Sequence, residues 1–257
     1  MKLRLFASLV SLLTPAFAEI KTASVAYKDG DIELEGFVAY DDVKPGIRPG
    51  VLVIHDWTGV QEYAKMRTRQ LAELGYVAFA ADIYGKGVRP TDPKDCAAEA
   101  GKYKGNLPLL RKRVTLGLEQ LKLQPNTDPK KLAAIGYCFG GTTVLELART
   151  GADLNGVVSF HGGLGTTLPA EEGKVKPKVL VLHGADDPFV KPEEVAAFKA
   201  EMEKAKVAMQ FISYPGAVHS FTRKSAGDDP SKGNAYNEAA DKASWTEMKK
   251  FFADVLK

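Results

Sequence analysis

Ile135-Gly136-Tyr137-Cys138-Phe139-Gly140-Gly141 decides how the rest of the chain is read. Lys131 to Ile135, just before it, forms the apolar run of a short buried strand. Thr142 to Arg149, just after it, has the pattern of a helix, so Cys138 falls on a strand-to-helix turn. Glycines two residues before and two after the cysteine suit such a turn, because a Cβ at either place would clash where the helix folds back on the strand. The helix N-terminus then points at the sulfur. Its partial positive charge and unpaired N–H groups favour thiolate over thiol and can also receive a developing oxyanion. This is a nucleophile elbow. The alternative is a buried, inert cysteine beside the Gly-rich turn of a nucleotide-binding sheet, and the residues downstream count against it.

On either side of this turn, strands and helices alternate. Ser24 to Tyr40 alternates around Asp29-Gly30-Asp31 and reads as an antiparallel hairpin at a sheet edge. Pro45 to Pro49 reads as a loop, and Val51 to Ile54 as a strand covered on both faces. A helix is expected from about Tyr63 to Leu74, a strand over Val77–Ala81, and helices at about Lys94–Lys104 and Leu107–Leu123. After the elbow, strands are expected at Gly156–Phe160, Lys178–Leu182 and Met209–Tyr214, with helices at about Glu193–Lys204 and Glu238–Val255. The fold class is therefore α/β, a doubly wound, mainly parallel sheet with its reactive loops at the strand C-termini. The connection from Phe160 to Lys178 is short, so no large lid is expected over the site.

Met1 to Ala18 carries Lys2 and Arg4, then an apolar stretch, then Ala16-Phe17-Ala18. It reads as a secretory signal peptide, too short to span a bilayer, and places the protein in the periplasm or outside the cell. Cleavage after Ala18 leaves 239 of the 257 residues, from Glu19 to Lys257, as one domain, and losing Lys2 and Arg4 takes the net charge from +3 to +1. So balanced a chain argues against nucleic acid or an anionic membrane as partner. The expected partner is a small molecule, and a monomer is the expected state. Only Cys96 and Cys138 are present, which is no disulfide framework, and Cys96 reads as a small buried residue of a helix.

A cysteine nucleophile needs a base and a carboxylate to orient it, in the chain order nucleophile, acid, histidine. His183-Gly184-Ala185-Asp186-Asp187-Pro188 follows a strand and offers the acid; Asp187 is preferred by its spacing, with Asp186 as runner-up. His219 lies just beyond the last strand, on a long connection reaching to about Tyr236. His55, His161 and His183 have blander readings as packed histidines at strand ends, although His161 could border the pocket. No metal site and no cofactor are expected, because the histidines lie on separate loops without paired ligand spacing.

His55-Asp56-Trp57-Thr58-Gly59, Asp82-Ile83-Tyr84-Gly85, the elbow, the Asp187 loop and His219-Ser220-Phe221-Thr222-Arg223 together resemble the dienelactone hydrolase family over nearly the whole mature chain. The resemblance implies an α/β-hydrolase fold and a Cys138, His219, Asp187 triad acting on esters or lactones. It implies an oxyanion hole from the N–H groups of Phe139 and Trp57, and a carboxylate at Asp56 that restrains the resting cysteine. It also implies two cations for a substrate carboxylate, at Arg223 and Lys86. A guanidinium suits that task because its fork grips a carboxylate with two charge-assisted bonds. The chain departs from the family prototype in two places. Asp56 stands where the prototype has glutamate, one methylene longer, and Lys86 where it has arginine. Competing readings are a broader esterase or thioesterase on the same scaffold and a redox-sensing thiol protein with Cys96 as resolving thiol. A non-catalytic binding protein is a third, counted against by the complete triad.

Overall fold

The structure, a computed structural model, describes residues 19–257. The expected signal peptide, Met1 to Ala18, lies outside the described residues. Strands β1 (Ile20–Asp29) and β2 (Ile32–Asp41) pair antiparallel and turn through Gly30, with Asp29 opposite Ile32. Next come β3 (Arg48–Ile54), α1 (Glu62–Glu73), β4 (Val77–Ala81), α2 (Pro93–Lys104), α3 (Leu107–Lys122), β5 (Thr127–Tyr137) and α4 (Phe139–Arg149). The chain continues through β6 (Gly156–Phe160), β7 (Lys178–Gly184), α5 (Pro192–Lys204), β8 (Met209–Tyr214) and α6 (Glu238–Val255). The eight strands form one sheet in the order β1-β2-β4-β3-β5-β6-β7-β8; β2 runs antiparallel to both its neighbours and all other pairs are parallel.

Alternate residues of the central strands feed two apolar layers, as the pleat requires. Leu52, Ile54 and Phe79 pack on one face with Leu110 and Val114 of α3, Val144 and Leu147 of α4, and Phe198 of α5. Val51, Val53 and Ala80 pack on the other with Leu71 of α1 and Met248 and Phe252 of α6. Burying each of these large side chains contributes on the order of 1.5–3 kcal/mol. The sheet that carries the site is thus clamped from both sides. Caps sharpen several helix starts: Asp92 accepts from Lys94 N at 2.8 Å, Asn106 from Leu109 N at 3.1 Å and Asn237 from Ala240 N at 3.0 Å.

The expected elements stand, with shifts at their ends. β3 begins at Arg48, inside the stretch read as loop, with Arg48 opposite Thr127 of β5; the ladder slips between Pro49 and Gly50. Proline has no N–H to give the ladder, and it is tolerated where an irregularity removes that demand. The connection after β8 is also less bare than its sequence suggests. It holds short helical turns at Lys224–Ala226 and Pro230–Lys232, and a bridge in which His219 N donates to Gly233 O and Ala235 N to His219 O, at 3.1 and 3.2 Å.

Candidate active site

The close approaches at the elbow explain its glycines. A Cβ on Gly136 would lie 2.0 Å from Gly140 O, and one on Gly140 would lie 2.2 Å from Ile54 O at the end of β3. Only bare backbone lets α4 fold against its own strand and against the neighbouring one. Cys138, caught between, takes φ 55° and ψ −114°, a conformation that L residues avoid. Its side chain is left standing at the helix N-terminus, where no side chain caps α4.

The triad expected from the sequence is brought together here. Cys138 Sγ lies 3.0 Å from His219 Nε2, and His219 Nδ1 lies 2.8 Å from Asp187 Oδ2. Asp187 Oδ1 accepts from Phe189 N at 2.9 Å, so the carboxylate is held at both oxygens. Gly184 makes this possible, since a Cβ there would meet Ala217 O at 2.6 Å and push the acid loop away from the histidine loop. Asp186 is turned elsewhere. It is exposed and accepts from Gly216 N at 3.0 Å. Burial opposes a charge on His219, but the Cys138 sulfur and the Asp187 carboxylate outweigh it and raise the imidazole pKa to about 10. The imidazole is therefore favoured in its charged form, within reach of both the sulfur and the carboxylate.

These side chains open onto a cavity of about 490 Å³, walled by Trp57, Phe139, Phe189 and Val190 and by one face of α2. That face presents Ala97, Ala100, Gly101 and Lys104, spaced three, four and seven residues along the helix. Among the described residues, no protein acceptor takes the backbone N–H of Phe139 or of Trp57.

The residues expected to surround the substrate fare unequally. Arg223 lines the cavity, but its Nη1 lies 2.6 Å from Asp56 Oδ2 and its Nε donates to Ser225 Oγ at 2.8 Å. Asp56 also lines it without restraining the cysteine. Its Oδ1 accepts from Thr58 N at 2.8 Å and from Thr58 Oγ1, so this short carboxylate turns back on its own loop and leaves the sulfur to His219. Lys86 is not brought in. It is exposed, its N donates to Glu33 O, and its Nζ pairs with Glu33 Oε2 at 3.1 Å, which points it along the edge hairpin. The cavity cation that the sequence reading passed over is Lys104. Its spacing with Ala97, Ala100 and Gly101 was the available signal.

The other histidines divide. His55 is fully buried, donates through Nδ1 to Asp56 O at 2.6 Å, accepts from Ile83 N through Nε2 at 3.3 Å and stacks on Phe139. His183 is buried at the end of β7 against Phe211. His161, by contrast, reaches the elbow, and its Nδ1 accepts from Cys138 N at 3.1 Å. Among the described residues no group of three or more His, Cys, Asp or Glu is placed to hold a metal ion. No helix among them is long and apolar enough to cross a membrane.

Strand order, one strand antiparallel to both its neighbours in an otherwise parallel sheet, and a cysteine on the tight β5–α4 turn define an α/β-hydrolase fold. The dienelactone hydrolase family model matches residues 34–256, and the chain belongs to that family of hydrolases. Among solved structures, it is 40% identical to a dienelactone hydrolase-like promiscuous phosphotriesterase from metagenomic libraries. That match covers 94% of this chain and 100% of the other with a TM-score of 0.89. A second structure, m3DLH, is 39% identical over 93% of this chain and 99% of its own, also with a TM-score of 0.89. A Caenorhabditis elegans protein, K02A2.1, is 37% identical over 153 residues, 57% of this chain and 94% of the worm protein.

Proposed function

We propose that the chain hydrolyses carboxylic esters or lactones with Cys138 as nucleophile, His219 as acid and base, and Asp187 as the group that orients the histidine. The observation carrying this is the unbroken contact line from Asp187 Oδ2 through the imidazole to Cys138 Sγ, at 2.8 and 3.0 Å. The thiolate attacks the carbonyl carbon, and the oxyanion takes the N–H groups of Phe139 and Trp57. His219 gives its proton to the leaving alkoxide. The acyl-enzyme is then opened by a water that His219 deprotonates, and Cys138 leaves as thiolate. The largely apolar cavity wall suits a substrate with an aryl or alkyl body.

A second activity on the same centre is phosphotriester hydrolysis, favoured by the 40% identity to a phosphotriesterase. The redox-sensing reading is weaker. Cys96 is 1% exposed, burial pushes its thiol pKa up, and it donates to Pro90 O at 3.4 Å, a poor resolving thiol. Export with removal of Met1 to Ala18 completes the proposal, and N-terminal sequencing of exported protein should begin at Glu19.

The deciding experiment compares wild type with Cys138→Ala on a panel of lactones, aryl esters, thioesters and an aryl phosphotriester. Hydrolysis should vanish in the variant while the fold persists, and iodoacetamide should alkylate Cys138 of the wild type well before Cys96. Retained turnover in Cys138→Ala would end the reading.

A further inference from the structure

The cavity wall holds a second buried histidine that the proposed reaction does not use. His161 follows β6 directly, with φ 40°. Its Nδ1 lies 3.1 Å from the peptide nitrogen of Cys138, whose N–H is shared with Phe160 O at 3.0 Å, and its Nε2 lies 2.7 Å from Thr222 Oγ1. A peptide N–H can only donate, so Nδ1 accepts, and the ring hydrogen sits on Nε2 and goes to Thr222. The ring must therefore be neutral. Burial and the cationic side chains of His219, Arg67 and Arg223 push its pKa well down, in the same direction.

Thr222 stands three residues beyond His219, on the same loop. Its hydroxyl is 2.6 Å from Tyr63 Oη on α1, and its carbonyl accepts from Arg67 Nη2 at 3.0 Å. Arg67 in turn holds Asp241 of α6 at 2.6 Å. A closed ring results. It runs from Cys138 to His161, to Thr222, along the loop to His219 and back to the sulfur. Cys138, His161 and Ser220, three of the described non-glycine residues with positive φ, all lie on it. Such conformations persist only where surrounding contacts enforce them.

We infer that His161 is a positioning residue that couples the elbow to the histidine loop through Thr222 and so sets the separation of Cys138 Sγ and His219 Nε2. The inference rests on the proposed roles of Cys138 and His219. His161 acts through the peptide of one and the loop of the other, without exchanging a proton with substrate.

The test uses His161→Asn, Thr222→Val and the double variant, assayed for kcat and KM on a neutral aryl ester and for the pH profile of Cys138 alkylation by iodoacetamide. Asparagine can keep an acceptor for the Cys138 N–H but does not reach Thr222, and valine keeps the shape of threonine without its hydroxyl. Each single variant should lower kcat by about tenfold with KM within about twofold, within the range that a small misplacement of reacting groups costs. Alkylation should move to higher pH, as a thiolate parted from its imidazolium requires. The double variant should be no worse than the poorer single one, because both remove one link. Wild-type kcat and alkylation profile in the singles, or losses that multiply in the double, would overturn the inference. Should His161→Asn fail to fold, the near-isosteric Thr222→Val decides alone by the same two readouts. Turnover surviving in Cys138→Ala would instead refute the mechanism itself, so the two failures are distinct.

Discussion

Asp56 Oδ2 lies 2.6 Å from Arg223 Nη1 across 167 residues of sequence, so the guanidinium best placed for a substrate carboxylate already holds one. Removing that internal carboxylate frees the cation. Asp56→Asn keeps an Oδ1 acceptor for Thr58 and should raise kcat/KM for anionic esters over neutral ones by about fivefold, the effect of roughly 1 kcal/mol from a partly exposed pair. Arg223→Ala should then abolish the preference in the Asp56→Asn background. An unchanged ratio of anionic to neutral kcat/KM in Asp56→Asn would show that Arg223 does not face substrate.

The two neighbouring carboxylates separate cleanly. Asp187→Asn should lower kcat by on the order of a hundredfold or more, because the imidazole loses both its orientation and the charge that supports its protonation. Asp186→Asn removes only an exposed charge, keeps an amide oxygen that can accept from Gly216 N, and should stay within about twofold of wild type. Steady-state kinetics on one aryl ester distinguishes them.

A titration follows from the electrostatics of the pair. His219 is raised to about 10 because the sulfur and Asp187 together outweigh burial. In Cys138→Ala the sulfur's contribution is gone while burial, which lowers the pKa, remains. The His219 pKa should therefore fall, and the ring should become neutral at a pH where the wild-type ring is still charged. Nitrogen chemical shifts of the imidazole, followed by NMR across pH in both proteins, measure this directly. Equal midpoints would mean that no thiolate–imidazolium pair forms.

At Gly136 the outcome is structural. An added Cβ would sit 2.0 Å from Gly140 O, a backbone atom that can move only if α4 moves. Gly136→Ala should cost more than about 3 kcal/mol, beyond ordinary overpacking. Chemical denaturation checks it; a loss under about 1 kcal/mol would mean that the turn can relax.

Much of this architecture was legible in the residues. Val51 to Ile54 and Val77 to Ala81 are apolar on both faces because both faces are covered, and the elbow glycines announce a close approach that only they permit. Asp187 could be preferred to Asp186 by spacing alone, since a tight turn after Gly184 aims only one of two adjacent side chains at His219. Pairings between distant loops were not legible. Nothing local to Arg223 tells that Asp56 faces it, and nothing local to Lys86 tells that Glu33 holds it at the edge hairpin. His161 was read as a strand-end histidine because its partners, the Cys138 peptide and Thr222, become neighbours only when β5, β6 and the loop after β8 lie side by side.

The left-handed backbone at Cys138, His161 and Ser220 sets chemistry against robustness. Each such non-glycine conformation costs on the order of 1–3 kcal/mol, and all three fall where sulfur and imidazole meet. Glycine at 161 or 220 would relieve the backbone and loosen the very contacts that hold the pair together. A lineage released from hydrolysis could grow more heat-stable by letting these positions drift, whereas one selected for turnover must keep its reacting centre the least relaxed part of the fold.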